Sequence, residues 1–252
     1  MNKTDAIRDR VEEANSFITR CEYDAAENAI KSCPYYQELT EDSAPLYLAE
    51  MNSLLARGDP KGAMNVVRRL HRSDLGVLIN IYRLSYLAQI QQALGKMDEA
   101  LKAIEDAEMI AHQNQSEIDG EVLCIITARR GYILSDLERW SDALLVLDEA
   151  KQTCVRDDEK ESIHLYLAYC LQAKHRYAEA LQELELLLPK DCAGNPELLS
   201  RVQFRKGAIL LQMEKYGDAY RAFLEAEGCG SANLEAAIQQ GKMEAAAKML
   251  AH

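Results

Sequence analysis

The stretch Leu94–Ala107, LGKMDEALKAIEDA, decides the fold of the chain. Gly95 interrupts one helical pattern, and a second begins at once with Ala100, Ile104 and Ala107 on one face. Spacings of four and seven residues are typical of an amphipathic α-helix that buries one side. The same arrangement returns in three segments: Glu138–Ala150 (ERWSDALLVLDEA), His175–Leu187 (HRYAEALQELELL) and Glu214–Ala226 (EKYGDAYRAFLEA). The recurrence predicts a chain built from copies of one helical unit.

These copies share one register over nearly the whole sequence. The copies are aligned on an alanine near the start of each second helix, at intervals of 37, 37, 43, 37 and 39 residues: Ala26, Ala63, Ala100, Ala143, Ala180 and Ala219. Three residues earlier stand mostly large side chains: Tyr23, Pro60, Met97, Trp140, Tyr177 and Tyr216. Four residues later every side chain is apolar: Ile30, Val67, Ile104, Leu147, Leu184 and Phe223. Twelve residues earlier all but one are small, as close helix crossings require: Ala14, Met51, Ala88, Gly131, Ala168 and Gly207.

This pattern resembles the tetratricopeptide repeat (TPR), in which pairs of antiparallel helices follow a small-residue, aromatic, alanine, aromatic signature. The resemblance runs from about residue 5 to residue 250 and indicates a long-period variant, since the usual period is roughly 34 residues. It implies an all-α, right-handed α-α superhelix, a TPR-like solenoid of about six helix-turn-helix repeats plus a C-terminal helical pair. A single domain, 1–252, is expected because each repeat buries its apolar face only against its neighbours. The expected repeats are residues 5–36, 43–72, 76–112, 117–156, 158–188 and 196–228, followed by C-terminal helices at 231–252.

Two local features refine this prediction. The 43-residue interval predicts a long loop or a helix extension at His112–Gly120 (HQNQSEIDG). Proline in the first turn of a helix costs no hydrogen bond, and Ser, Asp or Asn before it is a favoured N-cap. Three segments therefore predict helix starts: Ser43-Ala44-Pro45, Asp59-Pro60 and Asn195-Pro196.

Composition limits the classes of function. Among 252 residues, 48% are hydrophobic and 28% are charged, which is enough of both for a folded, soluble body. The net charge of −12 repels a phosphate backbone, so no nucleic-acid partner is expected. No apolar stretch approaches the length of a membrane span, and the start, MNKTDAIRDRVEEANSF, lacks the apolar region of a signal peptide. Seven cysteines without a CxxC pair favour free thiols, and a cytoplasmic location is expected.

No pattern of reactive side chains indicates catalysis. The five histidines, His71, His112, His164, His175 and His252, show neither HExxH nor another metal-ligand spacing. No nucleophile and base can be paired from the sequence. We therefore expect no catalytic residue, no metal and no cofactor, and the predicted function is not enzymatic.

The remaining candidate is the surface that the resemblance places on the inner curve of the solenoid, where the first helix of each pair faces. The residues implied there are Asn52, Tyr82, Tyr86, Gln89, Gln92, Arg129, Tyr132, Tyr166, Tyr169, Arg201 and Arg205. The chain has 12 Tyr but only 3 Phe, and tyrosine suits half-wet surfaces that meet a partner. Arginine adds planar, multi-donor contacts for carboxylates. The prediction is a scaffold or adaptor that binds a peptide segment of another protein, although any single tyrosine could instead pack between helices.

Two alternatives stay open. The last segment, Lys242–His252, carries an apolar stripe of Met243, Ala246, Ala247 and Leu250, which either packs inward or forms an interface, as in a structural subunit or homodimer. A sensor of a small peptide or metabolite, as some bacterial TPR proteins are, is the other alternative. The sequence names neither the partner nor the pathway.

Overall fold

The computed structural model describes residues 2–71, 75–188, 195–228 and 232–251. Within these ranges the chain forms thirteen α-helices and no strand, which confirms the all-α prediction. In chain order they are α1 (Lys3–Thr19), α2 (Tyr23–Lys31), α3 (Ala44–Ala56), α4 (Pro60–Arg69), α5 (Gly76–Ala93), α6 (Met97–Gln113), α7 (Gly120–Asp136), α8 (Trp140–Thr153), α9 (Asp157–Ala173), α10 (Tyr177–Glu185), α11 (Pro196–Gln212), α12 (Tyr216–Ala226) and α13 (Ala232–Ala251). The chain divides after Leu137 into two compact units, unit 1 with α1–α7 and unit 2 with α8–α13.

Helices pair with their neighbours in sequence, as the repeat register predicts. In unit 1, α1 packs on α2, α3 on α4 and α5 on α6, while in unit 2, α9 packs on α10 and α11 on α12. Successive pairs also pack together within each unit, through α2 and α3, α4 and α5, α10 and α11, and α12 and α13. Each unit is therefore a stack of TPR-like helical pairs.

The register residues lie at the helix crossings. The six alanines have no exposed surface: Ala26, Ala63, Ala100, Ala143, Ala180 and Ala219. The residues twelve before and four after them are buried in every copy. In every copy the residue three before the alanine is the first residue of the second helix: Tyr23, Pro60, Met97, Trp140, Tyr177 and Tyr216. The predicted register is confirmed.

The long interval in the repeat is used mainly to lengthen a helix. Helix α6 has 17 residues, whereas the other second helices have between 9 and 14. Its extra turns bury Ala107 and Ala111 before residues 114–119 connect it to α7. The extension predicted at His112–Gly120 is thus the end of α6 followed by a short turn.

Two of the three predicted N-caps form. Helices α4 and α11 begin at the prolines, and the side chains of Asp59 and Asn195 accept hydrogen bonds from the N–H groups of Gly62 (2.9 Å) and Leu198 (3.1 Å). Helix α3 also begins where predicted, at Ala44 directly after Ser43, but the Ser43 side chain makes no cap bond to it. The Ser43 hydroxyl instead accepts a hydrogen bond from the N–H of Thr40, within the preceding turn.

The connection between α2 and α3, residues 32–43, is held by a buried polar network rather than by helix packing. The Tyr36 hydroxyl donates to Glu50 Oε2 (2.6 Å) and accepts from Arg69 Nη1 (3.1 Å). The Tyr47 ring stacks on Tyr36, with ring centres 5.0 Å apart, and its hydroxyl donates to the Tyr36 carbonyl. Burial, with the Glu50 carboxylate, raises the pKa of Tyr36 to about 12, so the phenol remains a donor.

The turn between the two helices of every pair contains one residue in the left-handed backbone region. Glycine fills this position twice, at Gly58 and Gly95, and the other turns use residues with φ of 57° to 61°: Cys21, Glu138, His175 and Glu214. A left-handed conformation costs a residue with a Cβ atom about 1 kcal/mol relative to glycine. These four turns are therefore strained in the native state.

The C-terminal segment is one helix, α13, where the sequence suggested a helical pair. It packs inward on α12 and α11 through Ile238 and Ala245, which have no exposed surface. Gly241 lies between them against the Phe223 ring, and a Cβ atom there would come within 2.6 Å of it. Glycine thus permits the close approach that fixes α13 on unit 2.

The predicted apolar stripe of α13 is not the face that packs. Met243 is 72% exposed and Leu250 is 91% exposed, Ala247 is also exposed, and Ala246 is half-buried. The inward face is offset from this stripe because Gly241 meets Phe223. The helix packs inward, and its apolar stripe faces outward.

Replacing Glu214 by glycine should stabilise unit 2, because the turn would lose its left-handed strain. We expect Glu214→Gly to raise the free energy of unfolding by about 0.5–1 kcal/mol, net of the added chain entropy of glycine. The measurement is urea unfolding followed by the fluorescence of Trp140, the single tryptophan, which lies in unit 2. Glu214→Ala is the control, and equal stabilisation by alanine would show that the side chain, not the backbone, is responsible.

Adding a methyl group at Gly241 should loosen α13. The Cβ atom of Gly241→Ala would overlap the Phe223 ring, and such overpacking costs about 1–3 kcal/mol. Faster amide hydrogen exchange in α13 is the expected readout, with rescue by Phe223→Leu. Gly217→Ala, where no atom lies within 4 Å of the new Cβ, is the matched control and should not destabilise α12. Unchanged protection in Gly241→Ala would contradict the proposed contact.

Candidate functional site

The predicted binding residues of unit 1 lie mainly on α5 and α7. We call the set of Tyr82, Tyr86, Arg129 and Tyr132 the unit 1 face. Tyr132, which was predicted on the inner curve, is itself buried, with 6% of its surface exposed. The Arg129 guanidinium carbon lies 6.0 Å from the centre of the Tyr132 ring, one helical turn along α7. Burial raises the pKa of Tyr86, the Arg129 charge opposes this rise, and Tyr82 adds to it. Tyr82 and Tyr86 of α5 are therefore close enough to Arg129 of α7 for electrostatic interaction. The structure therefore brings these four residues together.

The other predicted residues of unit 1 lie beside the unit 1 face or apart from it. Gln92, at the end of α5, donates a hydrogen bond to the Asp136 carboxylate at the end of α7 and so ties the two helices together. Gln89 is half-buried on α5. Asn52 is exposed on α3. These positions border the unit 1 face or lie apart from it.

Arg129 has no acidic partner in the described part of the chain. Its Nε atom is buried and makes no hydrogen bond, and no described carboxylate lies within ion-pair distance. Its neighbour Arg130 differs, because the Arg130 Nη1 atom lies 2.7 Å from Glu108 Oε2. Of two adjacent arginines, the one beside the tyrosines is thus the one left without a counter-ion.

The predicted residues of unit 2 lie on α9 and α11. We call the surface of Tyr166, Tyr169, Arg201 and Arg205 the unit 2 face. The Arg205 guanidinium carbon lies 4.6 Å from the centre of the Tyr169 ring, within cation–π range. The edge of the Trp140 ring system packs against Tyr169, with ring centres 5.2 Å apart. Tyr169 is therefore held between an indole and a guanidinium.

Arg205 is a half-buried charge without a neutralising acid. Burial lowers the pKa of Arg205 and the charge of Arg201 lowers it further, whereas Tyr169 and Tyr166 act in the opposite direction. Its one described side-chain hydrogen bond is from Nη1 to Gln172 Oε1, at 3.5 Å. Within the described ranges no carboxylate reaches ion-pair distance of Arg205 or Arg201. Such a group gains most from an incoming anion, since charge-assisted hydrogen bonds are the strong ones.

The two faces share one arrangement of residues. Each joins a tyrosine and an arginine that stand two residues before the small crossing residue of consecutive first helices. In unit 1 these are Tyr86 and Arg129, and in unit 2 they are Tyr166 and Arg205. The same register thus builds a similar surface in each unit.

Two residues of this region escaped the sequence prediction. Gln172 receives the hydrogen bond of Arg205, and its Nε2 atom donates to Gln212 Oε1 (3.1 Å), which links α9 to α11. Gln172 occupies the same register as Gln92, four residues after the small crossing residue. Extending that register to α9 would have found it.

The described ranges contain neither a group of side chains suited to a metal ion nor a membrane-spanning helix. No three His, Cys, Asp or Glu side chains there are grouped as a metal site would need. No helix there combines the length and the apolar character needed to cross a membrane. Cys21, Cys33, Cys124, Cys154 and Cys170 form no disulfide, while Cys192 and Cys229 lie outside the described residues.

Comparison with known proteins identifies the fold. No protein-family model matches the sequence, and no curated protein matches it. The apo form of RapI matches 97% of this chain with 72% of its own, at a TM-score of 0.73 and 11% identity. The apo form of the quorum sensor NprR from B. thuringiensis matches 99% of this chain with 72% of its own, at a TM-score of 0.72 and 13% identity. A tetratricopeptide repeat protein from Parabacteroides merdae matches 96% of this chain with 99% of its own, at a TM-score of 0.51 and 15% identity.

The chain has a TPR-like fold. This agrees with the sequence-based resemblance, and at these identities the likeness concerns the fold alone.

Removing the charge of Arg205 should stabilise the unliganded protein, because a half-buried cation without a counter-ion opposes folding. We expect Arg205→Met, which keeps the length of the side chain, to raise the free energy of unfolding of unit 2 by about 1 kcal/mol. Lys151→Met is the control, since the Lys151 ammonium lies 3.0 Å from Glu183 Oε1 and its loss should destabilise unit 2. Urea unfolding followed by Trp140 fluorescence measures both. Destabilisation by Arg205→Met would mean that Arg205 serves the fold.

Proposed function

We propose that this chain is a non-enzymatic scaffold or adaptor that binds a peptide segment of another protein through the unit 1 and unit 2 faces. The observation that carries the proposal is the repeated pairing of tyrosines with an arginine that lacks an acidic partner, Arg129 in one unit and Arg205 in the other. Half-buried tyrosines and arginines are the residues that dominate binding energy at interfaces. We place this binding in a reducing compartment, the cytoplasm.

The physical basis of the proposal is preorganisation. The tyrosine rings and guanidinium groups are held on packed helices, so a partner would lose little free energy in ordering them. Stacking on Tyr169 keeps the planar donors of Arg205 in one orientation, which suits the two oxygens of a carboxylate. An acidic protein, with net charge −12, would accept an acidic segment only where such local positive charge offsets the overall repulsion.

Proteins of similar fold support a peptide as the class of ligand. NprR was also solved in complex with its cognate peptide NprX, and that structure matches 96% of this chain and 76% of its own, at a TM-score of 0.64 and 13% identity. A fold of this kind can therefore hold a peptide, and for this chain we infer the same class of ligand.

Affinity capture with a charge-matched control tests the proposal. The site variant is Arg129→Gln, Arg201→Gln and Arg205→Gln combined. The control variant is Arg139→Gln, Arg176→Gln and Arg221→Gln, three exposed arginines that each pair with an acid three residues away in the sequence. Both remove three positive charges, so they differ in place and not in net charge.

We expect wild type and control to capture the same proteins from native lysate, quantified by mass spectrometry, and the site variant to lose them at least tenfold. Far-UV circular dichroism should show equal helicity in all three. Equal capture by the site variant would exclude the two faces as the binding surface, and loss by both variants would reduce the effect to net charge.

Self-association through α13 is a second candidate function. It is favoured by the exposed Met243 and Leu250 on the outward face of α13. Met243→Gln with Leu250→Gln leaves the inward face intact, and light scattering would then show conversion of a dimer to a monomer. A wild-type protein that is monomeric at high concentration would remove this candidate.

A sensor of a small peptide or metabolite would retain a small molecule in the capture experiment instead of a protein.

A further inference from the structure

A pocket of about 540 Å³ lies between α11 and α13 in unit 2, and none of the predicted binding residues lines it. Its size is within the range of small ligand sites. Residues of α12 lie behind it, and the C-terminal helix forms one wall. This pocket could not be predicted from the sequence, because it depends on where α13 packs.

The pocket has an apolar interior and a polar rim. Phe204, Ala208 and Leu211 of α11 are only half-buried there, and Ala237 and Gly241 of α13 line the same pocket. Apolar side chains that stay partly exposed in a concavity gain free energy when another apolar group covers them. The interior therefore suits an aliphatic or aromatic side chain.

The pocket continues the unit 2 face. Arg205 and Ala208 are one turn apart on α11, about 4.5 Å along the helix axis, and Gln212 is one turn further. Gln172, which receives the hydrogen bond of Arg205, also lines the pocket. The charged groups and the apolar pocket thus form one connected surface within unit 2.

We propose that this pocket receives a large apolar side chain of the bound peptide, next to an acidic residue of that peptide held by Arg201 and Arg205. The inference rests on the proposed function and names its ligand more closely: a segment with Asp or Glu and a large apolar residue one to three positions apart. Extended chain advances about 3.3 Å per residue, which matches the spacing of Arg205 and the pocket.

Charges around the pocket decide which side of it favours an acidic residue of the peptide. Glu214 and Glu244 lie on the rim away from the arginines, and Lys248 is beside them. A second acid of the peptide would meet these carboxylates and be repelled. The acidic residue therefore belongs on the Arg201 and Arg205 side, and the far side of the pocket should accept neutral or basic residues.

Selection from a random peptide library tests this inference without a known partner. Phage displaying random 12-residue peptides are selected on the full chain, and the enriched sequences are counted. Two variants, Arg205→Gln and Ala208→Phe, remove the charge and fill the pocket, respectively. Gln240→Phe on the α13 rim is a second filling variant, in case Ala208→Phe disturbs α11. Ala236→Phe, on the exposed side of α13, is the matched control.

The wild type and Ala236→Phe should enrich peptides with an acid and a large apolar residue within three positions. Arg205→Gln should lose the preference for an acid, and both filling variants should lose the preference for a large apolar residue. Each of these variants should bind a synthetic peptide of the most enriched sequence about tenfold more weakly than the wild type, as measured by fluorescence anisotropy. An apolar preference that persists in both filling variants, or enrichment without an acid, would overturn this inference and leave the proposed function standing. No enrichment by the wild type would overturn both.

Discussion

Within each unit the second helices carry an alanine with no exposed surface, and the rest of the structure depends on the close packing that this alanine allows. Twelve residues earlier, on the first helix, stands a small residue in every copy except the one with Met51, so the backbones can approach closely. The approach positions the apolar residue one turn later, which fills the space toward the next pair. Phe223 shows the principle most clearly, because it lies against Gly207 of α11 and Gly241 of α13. A stack of such contacts makes each pair dependent on its neighbours.

The crossing also explains how much of the fold could be predicted from the sequence. The alanine register located the first residue of every second helix, because a period in sequence reports directly on helices that repeat the same contact. Features outside the period were not predicted. The network that links the buried Tyr36 and Glu50 to the exposed Arg69 joins residues of different repeats, and its parts have no local signature. The left-handed turns at Glu138 and Glu214 were missed because the sequence signal for such a turn is glycine.

The candidate site was predictable to the extent that it follows the same register. Tyr86 with Arg129 and Tyr166 with Arg205 stand at equivalent positions, so knowing which helix face is presented was enough to select them. The pocket was not predictable, because its wall is α13, which packs through a different face from the one its apolar stripe suggested. The predicted stripe contains Met243 and Leu250, but the helix packs through Ile238 and Ala245, with Gly241 between them against the Phe223 ring.

Among the described residues Arg83, Arg129 and Arg205 are buried or half-buried without an acidic partner, and Arg83 donates hydrogen bonds to Asn80 instead. With 41 acidic and 29 basic residues, a cation has more chances of finding an acid than an acid has of finding a cation. Exposed arginines such as Arg139, Arg176 and Arg221 each have an acid one turn away, in pairs that water weakens. Arg129 and Arg205 are half-buried, where an acid would stabilise them more, yet they stack on tyrosine rings instead. Stacking covers the flat face of a guanidinium. Apart from the 3.5 Å hydrogen bond from Arg205 to Gln172, no described residue occupies the edge donors of Arg129 and Arg205, so a carboxylate can bind there beside the tyrosine rings.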